Sequence, residues 1–351
     1  MAYTDIDDPS AYFQTTLYTG NGSNDLSITN SGNSDLQPDF VWIKQRDSRD
    51  HFLFNSVRGI RKYVASNTTA AEDTLADGLE SFDSNGFTID DGVGINENND
   101  PHVSWNWKAG TSFTNDASST GIGSLDSSGT VNETAGFAIV QYVGNGSSGA
   151  TIKHGLSTVP TAMWVRVYSA EAGFQVYNRG IGNTKFAGYL NANDAAGTSA
   201  GPWNNTTPTS SVFTVGNGGN TNNNGGTHIA YIFSDRQGYS KFGSYDATEN
   251  ISGTSIFTGF SPAFVLIKQS NLARDWFMYD SKRSTSNPVT KEINPNNSGS
   301  EDTVVSIDFL ANGFQIKTTG ASLNDAGGTY SYYAFAKQPF VTSTGVPATA
   351  R

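Results

Sequence analysis

The segment Pro38-Asp39-Phe40-Val41-Trp42-Ile43-Lys44 decides the fold, because it returns twice farther along the chain. The later copies are Pro160-Thr161-Ala162-Met163-Trp164-Val165-Arg166 and Pro262-Ala263-Phe264-Val265-Leu266-Ile267-Lys268. Each copy places an apolar pair and then a cation at the fourth to sixth positions after its proline. A repeat of this kind predicts one structural unit that is built three times along the chain.

Further aromatic landmarks keep step with the three prolines. Counted without gaps, the fourteenth position after each proline is aromatic, and the sixteenth is apolar. This two-residue alternation predicts a second strand with one buried face. A phenylalanine later in each copy precedes a closing aromatic alternation such as Trp105-Asn106-Trp107. The predicted repeat core consists of Phe52, Phe174, Trp276, Phe87, Phe213 and Phe314.

Composition favours strands over helices. Charged residues make up only 15% of the chain, which disfavours long exposed helices, while Gly, Asn, Ser and Thr supply frequent turn signals. We therefore predict an all-β protein of three tandem β-sandwich modules, of jelly-roll or lectin-like type. The predicted boundaries are 1–112 for the first module, 113–236 for a linker or edge strand plus the second module, and 237–351 for the third module and a C-terminal tail.

Charge and composition exclude several classes of function. The formal net charge of −11 opposes binding to nucleic acid, because the phosphate backbone would be repelled. The chain contains no cysteine, which excludes disulfides and thiolate chemistry and suits a reducing cytoplasm. The first residues lack the basic and apolar regions of a signal peptide, and no segment reaches the roughly 18 apolar residues of a membrane span. We expect no membrane insertion.

The sequence shows no pattern that is typical of a catalytic site. The four histidines occupy non-equivalent positions of the repeat and lack the metallopeptidase or hydrolase motifs; they are His51, His102, His154 and His228. Acidic residues gather in turns, so no pair of carboxylates can be nominated for glycoside hydrolysis. We predict that the protein is not an enzyme, has no catalytic residues and needs no cofactor.

Three features are candidates for binding. Trp203, in Gly201-Pro202-Trp203-Asn204-Asn205, suits stacking on a sugar ring if it is exposed. The acidic turn from Asp83 to Asp91 offers oxygen ligands for Ca²⁺, but a solvated turn is the favoured interpretation and no metal site is predicted. The recurring cations are Lys44, Arg166 and Lys268. They either form a repeated binding spot or, as we favour, cover apolar edge where a strand leaves the core while each charge stays in water.

Three stretches carry a resemblance to a known class of proteins. They are Ile6-Asp7-Asp8-Pro9-Ser10-Ala11-Tyr12-Phe13-Gln14, Ser104-Trp105-Asn106-Trp107-Lys108-Ala109-Gly110 and Gly238-Tyr239-Ser240-Lys241-Phe242-Gly243-Ser244-Tyr245. The chain resembles the repetitive virion structural proteins of marine tailed bacteriophages over nearly its whole length. The second copy departs from the pattern with Ala162-Met163 before its tryptophan, which argues against equal ligand surfaces on the three modules.

The resemblance implies a virion structural protein without catalysis. We expect a surface fibre, spike or capsid-decoration subunit that is assembled in the host cytoplasm and resides in the virion. Its expected partners are other virion proteins and further copies of itself in a homo-oligomer, a trimer. The alternative is a receptor-binding, lectin-like protein that recognises host surface glycan, with Trp203 as its ligand residue. A polysaccharide depolymerase is a third and weaker alternative.

Overall fold

The computed structural model describes residues 3–182, 188–250 and 253–348. Within these ranges the chain forms 25 β-strands, three α-helices of four residues each and two short 3₁₀ turns. The strands pair antiparallel in sheets that pack face to face. The predicted all-β sandwich class is confirmed.

The first module contains a main sheet and a small sheet. The main sheet has the order β1-β9-β3-β4-β5-β6, and the small sheet has the order β2-β8-β7. The strands are β1 (Phe13–Thr19), β2 (Leu26–Thr29), β3 (Phe40–Gln45), β4 (His51–Asn55), β5 (Gly59–Val64), β6 (Asp73–Thr74), β7 (Leu79–Asp83), β8 (Gly86–Ile89) and β9 (Pro101–Trp107).

The second module carries two additional strands at the edge of its main sheet. That sheet has the order β10-β11-β12-β17-β14-β15 and faces the pair β13-β16. The elements are β10 (Thr111–Asn115), α1 (Ala117–Thr120), β11 (Ser127–Asn132), β12 (Phe137–Val143), β13 (Ala150–Lys153), β14 (Ala162–Val167), β15 (Gln175–Asn178), β16 (Val212–Val215), α2 (Gly219–Asn222) and β17 (Thr227–Phe233). The stretch predicted as a linker or an edge strand thus supplies β10 and β11.

The third module packs two four-stranded sheets. Their orders are β18-β25-β20-β21 and β19-β24-β23-β22. The elements are β18 (Ser240–Asp246), β19 (Ser255–Phe257), β20 (Phe260–Gln269), β21 (Trp276–Asp280), β22 (Val289–Glu292), β23 (Asp302–Leu310), β24 (Gly313–Ile316), α3 (Ala321–Asn324) and β25 (Thr329–Pro339). All three main sheets therefore contain four strands in the same order. The order is the opening strand (β1, β12 or β18), the closing strand (β9, β17 or β25), the strand that contains or follows the repeat proline (β3, β14 or β20), and the strand after it (β4, β15 or β21).

The three main sheets are buried on both faces. In β3, Val41 and Ile43 point into the core of the first module, whereas Phe40 and Trp42 point into a core shared by all three modules. Trp42 and Trp164 meet edge to face in this central core, with ring centroids 5.8 Å apart. Each module also has its own core between its two sheets. The modules consequently pack against one another around a shared core and are not independent domains arranged in a row.

Strand pairing corrects the predicted register of the second strand. Trp42 lies opposite Leu53, eleven residues on, but Trp164 lies opposite Val176 and Leu266 opposite Met278, each twelve residues on. The first copy is therefore one residue shorter in the turn between these strands. A one-residue shift turns every side chain to the other face of a strand.

The shift separates one member of the predicted core from its partners. Phe52 packs in the core of the first module, whereas Phe174 and Trp276 lie in the central core. The residue of the first copy that is equivalent to Trp276 is His51, since Lys44 pairs with His51 and Lys268 with Trp276. The proposed equivalence of Phe52 with the other two aromatic residues is wrong, although all three are buried.

The other predicted set of aromatic core residues occupies equivalent positions. Phe87, Phe213 and Phe314 are fully buried, one in the core of each module. Each ring meets a tyrosine of the opening strand edge to face. The tyrosines are Tyr18, Tyr142 and Tyr245.

Each module extends one segment, which we call its arm, onto the next module. The arms are 65–72 in the first module, 189–196 in the second and 293–301 in the third. Backbone N–H groups of the arms donate to carbonyls that lie two residues beyond the recurring cations. The bonds run from Glu72 to Tyr168 (2.7 Å), from Ala196 to Ser270 (2.6 Å) and from Glu301 to Arg46 (2.6 Å). The third arm returns to the first module, so the three modules form a closed ring.

Buried polar side chains link the modules in the same cyclic sense. Asn55 donates to the hydroxyl of Tyr231 at 2.8 Å, and Asn178 donates to the carbonyl of Tyr332 at 3.3 Å. The third link has the reverse polarity, because the indole N–H of Trp105 donates to Asp280 at 3.2 Å. These three polar residues are equivalent, because each pairs with the residue that lies two positions after the repeat proline. The pairs are Asn55 with Phe40, Asn178 with Ala162 and Asp280 with Phe264. Burial makes these bonds strong constraints on the relative placement of the modules.

Candidate functional site

One end of each module carries a turn that is held by a buried asparagine. In the second module the side-chain oxygen of Asn222 accepts from the N–H groups of Asn145 at 2.9 Å and Gly146 at 3.2 Å. Its amide donates to the carbonyls of Ser147 at 2.9 Å and Gly216 at 2.8 Å. Equivalent bonds fix the other two turns through Asn96 and Asn324. The three turns are thus held from beneath by buried asparagine side chains, which no sequence pattern had singled out.

A stacked ring pair lies directly behind each of these turns. The pairs are Tyr18 with His102, Tyr142 with His228, and Tyr245 with Tyr330. Ring centroids lie 4.8 to 4.9 Å apart, and the planes differ by 8° in every pair. The sequence does carry a signal for this arrangement, because the second ring always follows the anchoring asparagine by six residues.

Replacing Asn222 by alanine is expected to lower the free energy of unfolding by about 3 kcal/mol. The change removes four hydrogen bonds that hold the turn, including the bond to the buried carbonyl of Gly216. Urea denaturation of the variant and of the parent protein measures the loss. Asn224→Ala is the matched control, because Asn224 is exposed beside the same turn and should change stability little. Equal effects of the two substitutions would contradict the anchoring role of Asn222.

The recurring cations do not behave as predicted. Lys44, Arg166 and Lys268 are fully buried, so the expectation that their charges stay in water is wrong. The ammonium of Lys44 donates to the carbonyls of Gln45 and Ser48, and that of Lys268 donates to the carbonyl of Gln269 at 2.6 Å. Burial lowers the pKa of each lysine to about 8. The three buried cations lie at one end of the central core, so they do not form an exposed binding site that is repeated in each module.

Arg166 differs from the two lysines because it reaches another module. Its guanidinium donates to carbonyls of the first arm, at 3.2 Å to Ala65 and 3.4 Å to Thr69. The guanidinium also lies over the ring of Phe174, 5.0 Å from its centroid. Burial lowers the pKa of Arg166 to about 10. This side chain therefore serves to hold the first module against the second.

Trp203 is not an exposed platform. Only 2% of its surface is accessible, and its ring packs edge to face against Tyr177 at 5.7 Å in the core of the second module. A sugar can stack only on an aromatic face that is uncovered. The ring of Trp203 is buried, so no face is available for stacking. The prediction of Trp203 as the ligand residue is wrong.

The carboxylates of Asp83 and Asp90 in the acidic turn accept hydrogen bonds from other groups of the first module. Asp83 accepts from the hydroxyls of Ser81 at 2.6 Å and Thr88 at 2.8 Å. Asp90 accepts from the backbone N–H of Asp25 at 3.1 Å. Across the described residues, no three acidic or histidine side chains come together in a group that could hold a metal ion.

The histidines are buried inside the modules. His51 accepts from the indole N–H of Trp42 at 2.9 Å, and His154 contacts the carbonyl of Thr209 at 3.1 Å. Burial lowers the pKa of all four histidines, to about 4 for His154 and His228. Each imidazole is therefore neutral at physiological pH and serves packing.

A cleft of about 530 Å³, which we call the seam cleft, lies between the first and third modules. One wall is formed by Asp7–Ser10, β1 and the loop 31–33, and the other by the turn 281–282 and the end of β25. The C-terminal segment contributes Thr342 and 346–348. A smaller cavity of about 200 Å³ lies in the second module beside Tyr189. The seam cleft has a volume within the range of about 300 to 1,000 Å³ that is usual for small-molecule sites.

Comparison with known proteins assigns a family. A family model described as a domain of unknown function, DUF7483, matches residues 8–339. The chain belongs to this family. No curated protein and no solved structure showed a significant match. The DUF7483 match begins beside β1 and ends with β25, so it includes all three modules. It also includes most of the lining of the seam cleft, but not Asp7 or the residues of the C-terminal segment.

The DUF7483 domain therefore corresponds to the whole ring and not to one module. Within the part of the chain that the structure describes, no helix is long and apolar enough to cross a membrane. The features that repeat in all three modules are the anchored turns at one end, whereas the seam cleft occurs between the first and third modules and involves segments near both ends of the sequence.

Proposed function

We propose that this DUF7483 chain is a non-enzymatic structural subunit of a tailed-phage virion, a surface fibre, spike or capsid-decoration protein. The closed ring of three sandwiches is the observation that carries the proposal. Central aromatic packing and three cyclic arm contacts make one rigid unit from modules that would each be small alone. A rigid subunit of this kind suits a position on the outer surface of a particle.

The surface of the ring supports the same role. Anchored turns from all three modules present short polar loops on a fixed frame, which is how scaffolds usually display contact residues. The net charge of −11 favours solubility at the surface of a particle. We propose that other virion proteins and further copies of the chain are its partners, with assembly in the host cytoplasm.

Co-purification with particles tests the proposal. Particles from lysates of cells that express the gene in its natural context are separated on a density gradient, and each fraction is probed with an antibody against the purified protein. We expect the protein to band with the particles and to become accessible to antibody-gold on their surface. A protein that is expressed but remains only in the particle-free fractions would exclude the virion role. Analytical ultracentrifugation of the purified chain measures the self-association, expected to be trimeric.

A further inference from the structure

The seam cleft is open because the first module has smaller side chains at this seam. Thr15, Ile139 and Phe242 are equivalent residues, since each lies on the opening strand opposite the first residue of the closing aromatic alternation. Ile139 and Phe242 fill the central core, whereas Thr15 lines the cleft. The hydroxyl of Thr15 is buried and has no hydrogen-bond partner among the described residues.

The seam between the second and third modules shows how such a space is closed. There Gly180 lies against Gly243, so closely that a Cβ on Gly180 would approach a backbone carbon to 2.5 Å. Ser244 donates to the carbonyl of Gly180 at 2.7 Å. The residue equivalent to Gly180 at the seam cleft is Lys282, two positions after Asp280 as Gly180 is two positions after Asn178. The seam cleft therefore has a lysine at the position where the other seam has a closely packed glycine.

Charges in the cleft balance and lie on facing walls. Lys282 donates to the hydroxyl of Ser31 at 3.1 Å, and Lys337 is exposed at the end of β25. Neither lysine has an ion pair with a described acidic residue. Asp8 accepts from Ser10 and from the hydroxyl of Ser34 at 2.7 Å, and Asp7 accepts from Ser343. The cleft thus offers cationic donors opposite carboxylate acceptors with no net charge.

Amide and apolar groups complete the lining. Gln338 adds an amide that both donates and accepts, while Pro9, Pro339 and Val346 add aliphatic surface. A neutral sugar needs this mixture, because each hydroxyl both donates and accepts and each ring also presents C–H groups. A strongly anionic ligand is disfavoured by Asp7 and Asp8. We infer that the seam cleft binds a neutral, hydroxyl-rich oligosaccharide, which goes beyond the structural role proposed above.

Isothermal titration calorimetry tests the inference with the full-length chain. The probes are maltotriose, cellotriose and tri-N-acetylchitotriose, with trigalacturonate as the acidic comparison. We expect at least one neutral trisaccharide to bind with a dissociation constant of about 1 mM or tighter. Two cleft variants, Thr15→Phe and Lys337→Ala/Gln338→Ala, are each expected to weaken binding about tenfold or more, equivalent to about 1.4 kcal/mol.

Controls separate the inference from loss of folding and from the virion role. Thr15→Phe copies the residue that the third module has at this position, and the second variant changes only the cleft surface, so both should melt near the parent temperature. Lys153→Ala removes a lysine outside the cleft and should leave binding unchanged. Binding of trigalacturonate alone, no binding of any neutral probe, or full binding by both cleft variants would overturn the inference. Incorporation of the cleft variants into particles reports on the virion role independently.

Discussion

Replacing Arg283 by methionine is expected to lower the free energy of unfolding by about 3 to 5 kcal/mol. The guanidinium of Arg283 lies 2.5 Å from the carboxylate of Asp280, and both side chains are fully buried. Arg283 also donates to the carbonyl of Met278 at 2.9 Å and lies over the ring of Trp105 in the first module. Removing it leaves the charge of Asp280 buried without its cation. Urea denaturation followed by tryptophan fluorescence measures the loss.

The chain itself provides the matched control for this experiment. Asn178 and Ile181 occupy the equivalent positions in the second module, three residues apart like Asp280 and Arg283. The double variant Asp280→Asn/Arg283→Ile therefore removes both charges and copies a pair that already exists in this fold. We expect it to be more stable than Arg283→Met by at least about 1 kcal/mol, because no buried charge is left unpaired. A double variant that is no more stable than the single one would contradict a cost from an unpaired Asp280 charge.

Lowering the pH from 7.5 to 5 is expected to cost about 4 kcal/mol of stability through His154 and His228. Burial lowers the pKa of each to about 4, whereas an unfolded histidine has a pKa of about 6.5. Between these values the unfolded chain binds more protons than the native chain, so stability falls as the pH falls. Each histidine contributes about 2 kcal/mol at pH 5, and the lowered pKa values of His51 and His102 act in the same direction.

Urea denaturation at the two pH values measures this effect. Tyr330 stacks in the third module just as His228 stacks in the second, so His228→Tyr is a substitution that the fold already tolerates. We expect this variant to lose about 2 kcal/mol less than the parent between pH 7.5 and 5. Burial raises the pKa of Glu292, which opposes the loss equally in both proteins. An identical pH dependence in parent and variant would contradict a buried neutral His228.

The sequence predicted the fold class because turn signals and aromatic landmarks agree in three copies. Phe87, Phe213 and Phe314 keep their register since the chain between each of them and its closing strand has nearly the same length in every copy. Phe52 lost its register because the turn before it is one residue shorter, which a count without gaps does not reveal. The shared central core was missed for a different reason. A strand buried on both faces reads as a continuous apolar run, and such a run does not say what covers each face.

The candidate binding residues were the least predictable part. Lys44 has the sequence environment of a strand end, but its burial depends on the carbonyls of the following turn. Trp203 lies among turn residues, yet it packs against Tyr177, which is distant in the sequence. The seam cleft depends on Thr15 lacking the bulk of Ile139 and Phe242, and that comparison requires the strand pairing. Local patterns do not contain these long-range contacts.

The return of the third arm to the first module has a consequence for how the three seams can differ. Three identical modules, each reaching onto its neighbour, would assemble as a cyclic homotrimer in which every substitution occurs three times. Joining the copies in one polypeptide removes that constraint, because a residue can change in one copy while its two counterparts stay the same. Lys282 in place of Gly180 and Thr15 in place of Phe242 are differences of this kind. One chain can therefore carry a pocket at a single seam, whereas a cyclic homotrimer of identical modules would carry three.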